Sequence, residues 1–432
     1  MLTKYIKCLW SNLLLIFLTL FIGKDAVAQF VKGADIGWLS QMEASGYQFY
    51  DTNNVQMECL DILQSRQINT VRLRVWVNPS SDRINGHCSK KEVAEMALRA
   101  KNRGMRVMID FHYSDSWADP GKQNKPAAWS THSFSQLLTD VYNHTFEVLD
   151  TLKSIGATPD WAQIGNEISG GMLWPDGSTN NWPKLAQLLN KGYDAAKAVD
   201  STIQVVIQIN NGHDNSLFRW FFDNAESNGV RYDMIGASYY PYWDGQDYTE
   251  TIDALGNNLN DMVARYGKPV MVVETGGMYN QVQNTYDMLV AVIKKVLEVP
   301  DKMGLGVIYW EPQGEKSWSG YNLSCWSSGG KPTRALNAFM YDVSTDVTEK
   351  PDDLPFHFYP NPSTDGGFNV DLRGFSGTSF VKIYDLTGKL LTEQSFEYQD
   401  QVSLDPRLKP GIYLLIITNR EKVFVQKLII TE

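Results

Sequence analysis

Short apolar runs, many of them β-branched, alternate along residues 29–344 with segments whose apolar residues recur every three or four positions. Such runs are typical of parallel strands buried on both faces, and the intervening segments are typical of amphipathic helices. The predicted strand ends are Ile36, Arg74, His112, Glu167, Asn210, Tyr240, Glu274 and Trp310. Most distances between these ends match one strand-plus-helix unit, and eight such units predict a (β/α)₈ barrel.

The helical spacing predicts helices at residues 90–103, 134–154, 182–199, 249–266 and 285–297. The connection after the third strand is longer than the others, and residues 113–123 within it are polar and aromatic, with Pro120 and Gly121 as turn residues. Because long loops after barrel strands usually shape a binding site, we expect this loop to contact a ligand.

The pattern changes after Phe339. Residues 345–355 are polar and contain proline, which indicates a linker. Residues 356–432 contain short alternating segments separated by turn residues, which predicts a small β-sandwich. We therefore expect a barrel domain at residues 29–344 and a separate sandwich domain at residues 356–432. A small carbohydrate-binding module is the alternative interpretation of this second domain.

Residues 1–28 have the features of a secretory signal peptide. Lys4 and Lys7 precede an apolar core from Leu13 to Ile22, and Ala-Val-Ala at positions 26–28 precedes the predicted cleavage point. An uncleaved membrane anchor is the alternative, but the apolar core is too short to span a bilayer. We expect a protein that is secreted or held at the cell surface.

The formal net charge of −10 argues against binding to nucleic acid through a general basic surface and fits a neutral ligand. No spacing resembles a structural zinc site, a phosphate-binding glycine loop or a dinucleotide fingerprint, so we predict neither a cofactor nor a metal. Cys59, Cys88 and Cys325 follow the predicted signal peptide, so one disulfide at most is possible within a chain. A monomer is expected.

Two of the predicted strands end in a glutamate, Glu167 and Glu274. The carboxyl ends of the strands meet at one mouth of a parallel barrel, so both carboxylates are expected to face the same cleft. Paired carboxylates can cleave a glycosidic bond, and a separation of about 5 to 5.5 Å between them leads to retention of configuration. A salt-bridged or solvated glutamate is the alternative for either residue taken alone.

Polar residues at other strand ends are expected to surround this pair. Arg74 is expected to keep Glu274 ionised, and Tyr240 is expected to donate a hydrogen bond to it. Asn166, which precedes Glu167 in sequence, is expected to bind the 2-hydroxyl of a sugar, and a strand-end cap is its alternative role.

Further candidates have less specific environments. Arg72 points to the same side of its strand as Arg74, and a buried structural ion pair is as good an interpretation as a site role. His112 is expected to bind substrate or to position Glu167, with a packing histidine as the alternative. Trp310 is expected to form the floor under a bound sugar. Tryptophans in the loops are candidates for sugar platforms or for packing: Trp76, Trp117, Trp174, Trp243 and Trp318.

Seven segments occur in a defined order: GADIG (33–37), VRLRVWVNP (71–79), DFHYSDSWADPGKQ (110–123), QIGNE (163–167), SYYP (238–241), VETG (273–276) and YWEP (309–312). Together they resemble glycoside hydrolase family 53, the endo-β-1,4-galactanases, over residues 30–339. The resemblance implies that Glu167 is the acid/base and Glu274 the nucleophile. It also implies internal cleavage, with retention, of the β-1,4-galactan side chains of pectin (type I arabinogalactan). Some bacterial members carry calcium on a long loop after the last strand, but residues 313–332 are few and lack a ligand cluster.

Four C-terminal segments carry a second resemblance: YPNP (359–362), YDLTGK (384–389), LKPGIY (408–413) and KLII (427–430). They are similar to the sorting domain of the type IX secretion system of Bacteroidetes. That resemblance implies the secretion machinery as a partner, and export across the outer membrane, often with removal of the domain.

Two alternative functions stay open at this point. A different retaining hydrolase of the same clan, acting on mannan, glucan or a galactoside, would share the catalytic constellation. A non-catalytic glycan-binding protein of the cell surface would keep the barrel without turnover.

Overall fold

The structure is a computed structural model that describes residues 29–80, 87–341, 358–364, 366–371, 378–397, 399, 401–418 and 423–431. The predicted signal peptide at 1–28 and the predicted linker at 345–355 lie outside the described residues. The chain divides into two compact units, of which the first ends at Tyr341. The finer domain limits at 344 and 356 stay predictions.

The first unit contains eight parallel strands that close into a barrel, as predicted. The strands are β1 (Val31–Asp35), β2 (Thr70–Val75), β3 (Arg106–Phe111), β4 (Trp161–Ile164), β5 (Gln204–Ile209), β6 (Met234–Tyr239), β7 (Val270–Thr275) and β8 (Gly304–Trp310). Each strand pairs with its neighbours in sequence, and β1 also pairs with β8. The register places Asp35 beside Arg72 and Ser238 beside Glu274, so polar side chains of adjacent strands meet at the carboxyl end.

Helices between the strands form the outer layer. They are α1 (Leu39–Ala44), α2 (Cys59–Ser65), α3 (Lys90–Lys101), α4 (Phe134–Ser154), α5 (Trp182–Val199), α6 (Asn215–Ser227), α7 (Tyr248–Tyr266), α8 (Val282–Leu297) and α9 (Lys316–Ser319). Capping boxes at Ser89, Ser133 and Asp247 begin α3, α4 and α7, which explains why their predicted starts agree with the structure to within one residue. Helices α1, α2, α6 and α9 are absent from the predictions, although the buried residues Phe218, Phe221, Phe222 and Ala225 of α6 recur at three- and four-residue intervals.

The barrel interior changes character along its axis. Near the amino-terminal end it is filled by a buried apolar cluster formed by Val31, Met108, Trp161, Val206, Met234, Met271, Val273 and Ile308. Two residues further along β3 and β5, on the same strand face, Asp110 and Gln208 replace Met108 and Val206 and are also fully buried. The carboxyl end of the interior is therefore polar, and its groups must satisfy one another by ion pairs and hydrogen bonds.

The second unit is a small β-structure with two antiparallel sheets. Its strands are β9 (Phe358–Tyr359), β10 (Phe368–Asp371), β11 (Thr378–Tyr384), β12 (Leu390–Glu397), β13 (Gln401–Leu404), β14 (Gly411–Thr418) and β15 (Val423–Ile430). One sheet has the order β9-β10-β13 and the other β12-β11-β14-β15. Alternate residues from both sheets, including Val370, Ile383 and Leu415, share one apolar core, which confirms the predicted sandwich.

Cys59, Cys88 and Cys325 are buried and free, so the disulfide that the cysteine count permits does not form among them. Within the described parts of the chain, no helix combines the length and the apolarity needed to cross a bilayer.

Candidate active site

The two candidate glutamates lie at the carboxyl end of the barrel. Glu274 is the second-to-last residue of β7 and is 7% exposed. Glu167 lies three residues beyond β4, so the prediction that it ends this strand is wrong. The strand stops at Ile164 because Gly165 (φ 84°) and Glu167 (φ 48°) adopt left-handed conformations that cannot continue a ladder.

Glu167 and Glu274 line one cavity of about 420 Å³. Six of the other predicted site residues line the same cavity: His112, Trp117, Asn166, Tyr240, Trp243 and Trp310. Arg74 lines a neighbouring cavity of similar volume, which shares Trp117 with the first. The structure therefore brings eight of the predicted residues to one cavity. Trp76 and Trp318 line the neighbouring cavity with Arg74, and Trp174 lines neither.

Arg72, and not Arg74, is the arginine that contacts Glu274. Its Nη1 lies 3.2 Å from Glu274 Oε2 and 2.7 Å from Asp35 Oδ2, and its Nη2 lies 3.0 Å from Asp110 Oδ2. The predicted pairing with Arg74 is wrong because a residue two positions further along a strand is displaced by about 7 Å. Arg72 thus joins a structural ion pair and the candidate nucleophile in one buried cluster.

Arg74 forms a separate cluster. Its guanidinium binds Glu311 and lies 3.4 Å from Asp35 Oδ1. Aromatic rings surround it, with the Trp117 ring centroid at 4.4 Å and those of Trp38 and Trp310 at 5.7 and 5.9 Å. These contacts stabilise a buried cation and hold the tryptophans at the cavity wall.

Hydrogen-bond donors converge on Glu274. The hydroxyl of Tyr240 donates to its Oε1 at 3.1 Å, a contact that the sequence analysis predicted. The amide nitrogen of Gln208 lies 3.3 Å from its Oε2 and also donates to Ser238 Oγ at 2.8 Å. The Ser238 hydroxyl in turn interacts with the charged form of Glu167, an effect that by itself lowers the pKa of this carboxyl.

The surroundings give the two glutamates unequal proton affinities. Burial and the neighbouring Glu274 raise the pKa of Glu167 to about 8, against the opposing effect of the Ser238 hydroxyl. Burial also raises the pKa of Glu274, but the positive charge of Arg72 and the hydrogen bond from Tyr240 counteract it. Glu274 therefore loses its proton first, and Glu167 retains one near neutral pH.

Asn166 and His112 bind parts of the protein itself. Asn166 Oδ1 accepts from Arg72 Nη2 at 2.8 Å, and its Nδ2 donates to the carbonyl of Ala118 at 2.9 Å. His112 Nδ1 accepts from the amide of Ala118 at 3.0 Å, and its Nε2 donates to Asp110 Oδ2 at 2.9 Å. Both residues thus hold the loop after β3 against the barrel. The two ring nitrogens of His112 contact Asp110 and Ala118 and not Glu167.

Aromatic rings form one wall of the cavity. Trp310 is partly exposed and packs edge-on against Trp38 and Tyr321, at centroid distances of 5.0 and 4.7 Å. Trp117 lies 5.8 Å from Trp310. Trp243 is 63% exposed at the rim. Rings at these positions are available to stack on a sugar.

Several polar or aromatic residues at this site are absent from the predicted set, among them Asp35, Asp110, Gln208, Asn210, Ser238 and Tyr321. Among the described residues, Oδ1 of Asn210 is buried without a hydrogen-bond partner although the residue lines the cavity. Gln208 could have been predicted from the sequence, since an amide in the middle of an apolar strand must find internal partners. Tyr321 lies in an irregular loop, and no sequence pattern indicates its place at the site.

In the described part of the chain, no three His, Cys, Asp or Glu side chains are grouped so that they could hold a metal ion. The absence of a cofactor stays a prediction.

Comparison with known proteins agrees with this geometry. Residues 31–349 match the model of glycosyl hydrolase family 53, and residues 357–431 match that of a secretion system C-terminal sorting domain. A probable arabinogalactan endo-β-1,4-galactanase A from Aspergillus terreus is 35% identical over 316 residues, covering 68% of this chain and 88% of the relative. An endo-β-1,4-galactanase from Bacillus subtilis is 33% identical over 344 residues, covering 72% and 78%.

A solved structure supports the same assignment. The family 53 catalytic domain from Ignisphaera aggregans superposes with a TM-score of 0.68 at 31% identity, covering 73% of this chain and 97% of that domain. The chain belongs to glycosyl hydrolase family 53 and is a glycoside hydrolase with a C-terminal secretion sorting domain.

Proposed function

We propose that the protein is a secreted endo-β-1,4-galactanase that cleaves galactan by double displacement, with Glu167 as acid/base and Glu274 as nucleophile. The observation that carries this proposal is the pair of carboxyls in one cavity with unequal proton affinities. The named relatives are galactanases, which supports galactan as the substrate.

In the first step, the Glu274 carboxylate attacks the anomeric carbon while the protonated Glu167 gives its proton to the leaving oxygen. The glycosyl ester that forms at Glu274 carries no negative charge. Since that charge contributes to the high pKa of Glu167, the pKa falls and Glu167 becomes a base. In the second step Glu167 takes a proton from water, water attacks the anomeric carbon, and Glu274 leaves as a carboxylate.

Internal cleavage is supported by the second cavity. Its lining includes Trp38, Trp76 and Trp318, and it continues from the wall formed by Trp117. Tryptophan faces beyond the reacting sugar would bind further units of a polymer. A site closed around a single terminal sugar would not need this extension.

Export is supported by the sorting domain at residues 357–431. We infer that a type IX secretion system delivers the protein to the cell surface or the medium, after removal of the predicted signal peptide at residues 1–28. The enzyme would act there as a monomer on polysaccharide outside the cell.

The test is a time course of oligosaccharide products from linear galactan, compared with mannan and cellulose. We expect early release of several chain lengths from galactan alone. Cleavage of mannan or cellulose without galactan would contradict the proposed substrate. Binding of galactan without any product would instead identify a glycan-binding protein.

A further inference from the structure

One buried side chain connects both catalytic glutamates. Gln208 lies on β5, is fully buried and points into the polar end of the barrel interior. Its Oε1 accepts the backbone N–H of Glu167 at 3.0 Å. Its Nε2 donates to Ser238 Oγ at 2.8 Å and lies 3.3 Å from Glu274 Oε2.

The orientation of this amide follows from its partners. A backbone N–H can only donate, so the atom of Gln208 that faces Glu167 must be the carbonyl oxygen. Gln163 Nε2 donates to the same oxygen at 2.7 Å. The NH₂ group therefore faces the other way, where Glu274 Oε2 and the Ser238 hydroxyl accept its two protons.

The two protons of Gln208 Nε2 thus act on both carboxyls, directly on Glu274 and through Ser238 on Glu167. One goes directly to Glu274. The other goes to Ser238 Oγ, which leaves the serine proton free to hydrogen-bond Glu167. Because Ser238 accepts from Gln208, its hydroxyl is directed at Glu167 and not at the amide.

Glu167 needs such support because no strand holds it. The residue lies beyond the end of β4 with φ 48°, a conformation that a glutamate adopts only when its surroundings impose it. The bond from its N–H to Gln208 links this turn to β5, and therefore to the neighbouring strand that carries Ser238.

We propose that Gln208 is a positioning residue that sets the acid/base and the nucleophile relative to each other and keeps the nucleophile ionised. This inference rests on the proposed roles of Glu167 and Glu274. The amide does not touch substrate; it acts through the Glu167 backbone, Ser238 and the Glu274 carboxylate.

The experiment compares Gln208→Met and Gln208→Glu with the wild-type enzyme. Met keeps the length of the side chain and removes both polar ends, whereas Glu keeps the acceptor for Glu167 and replaces the NH₂ group by oxygen. Rates are measured against pH on an aryl β-galactoside oligomer with an activated leaving group, per folded molecule counted by near-ultraviolet circular dichroism.

We expect kcat to fall by about 10- to 100-fold in both variants, since small displacements of reacting groups have effects of this size. The acidic limb of the kcat/KM profile should move upward by roughly half to one pH unit in Gln208→Met, because Glu274 loses a donor that favours its charged form. It should move further in Gln208→Glu, which places another carboxyl beside Glu274. KM should change little.

Asn258→Leu is the matched control. Asn258 is also a fully buried amide, and it holds the carbonyl of Gly212 at 2.7 Å without contact to either glutamate. This variant should lose stability and keep the wild-type acidic limb. Should Gln208→Met not fold, Gln208→Glu decides alone, because it preserves the shape of the side chain.

An acidic limb that stays in place in the Gln208 variants, with activity lost only in proportion to folded protein, would overturn the proposal. Failure of the proposed function is a separate result. It would appear as a wild-type enzyme that cleaves the aryl glycoside and leaves galactan intact.

Discussion

Arg72 and Arg74 lie two residues apart on β2, are both fully buried and share Asp35, yet they belong to clusters with different roles. Arg72 contacts Glu274, whose carboxylate reaches the open cavity. Arg74 contacts Glu311, which is fully buried and whose oxygens also accept from the backbone of Trp38. An arginine–glutamate contact is open to substrate in one cluster and enclosed in the other.

The comparison also concerns proton affinity. Burial raises the pKa of Glu311 to about 8, against the effect of Arg74, and the pKa of Glu167 reaches a similar value. Only Glu167 lines the cavity of the site. A raised pKa therefore does not identify a catalytic acid unless the carboxyl can also reach a substrate.

The largest expected effect distinguishes Glu274, the partner of Arg72, from Glu311, the partner of Arg74. Glu274→Ala should lower turnover by on the order of 10⁴- to 10⁶-fold while galactan binding is retained, because the proposed nucleophile is lost. Glu311→Gln should leave turnover largely intact and change mainly the free energy of unfolding, because an amide replaces the carboxyl in the buried contact with Arg74. Turnover, affinity and urea denaturation measure these outcomes. A Glu311→Gln enzyme as inactive as Glu274→Ala would remove the distinction between the clusters.

Glu167→Ala should affect substrates unequally. Cleavage of galactan, whose leaving group needs a proton, should fall by about 10²- to 10⁴-fold, which is the usual contribution of general acid catalysis. Formation of the glycosyl ester from an aryl glycoside with an activated leaving group should be nearly unaffected, and pre-steady-state release of the phenol measures it. Equal losses on both substrates would contradict the assigned role.

Arg72→Lys and Arg74→Lys test the comparison directly. The lysine at 72 should weaken the contact with Glu274, lower kcat by roughly tenfold and move the acidic limb of the pH profile upward, since a positive charge near Glu274 favours its ionised form. The lysine at 74 should reduce thermal stability and leave that limb in place. Identical pH profiles for the two variants would show that the arginines are equivalent.

The smallest expected effect concerns the basic limb. Activity should decline above about pH 8, because Glu167 then loses the proton that the first step needs. Ser238→Ala removes a hydrogen bond that favours charged Glu167, so its pKa should rise and the limb should move to higher pH. If the basic limb of the kcat/KM profile moves to lower pH in this variant, the proposed contact is contradicted.

Several features could be predicted from residue types and spacing. Eight apolar runs at regular distances were sufficient for the barrel, and apolar residues at three- and four-residue intervals were sufficient for helices such as Phe134–Ser154. The placement of Glu167 and Glu274 in one cleft followed from the rule that strands of a parallel barrel end at the same mouth. Which arginine contacts Glu274 did not follow, because both arginines share a strand face and only the stagger between neighbouring strands separates them.

By itself the sequence determined the fold class and the family and pointed to the two candidate glutamates, since periodicity and ordered motifs are local properties of the chain. The tertiary structure decided the partners: Arg72 beside Glu274, Gln208 between both glutamates, and Glu167 on a left-handed turn beyond its strand. These contacts depend on the register and tilt of strands that lie far apart in sequence. Buried polar groups must find partners, but the geometry of the closed barrel selects which ones.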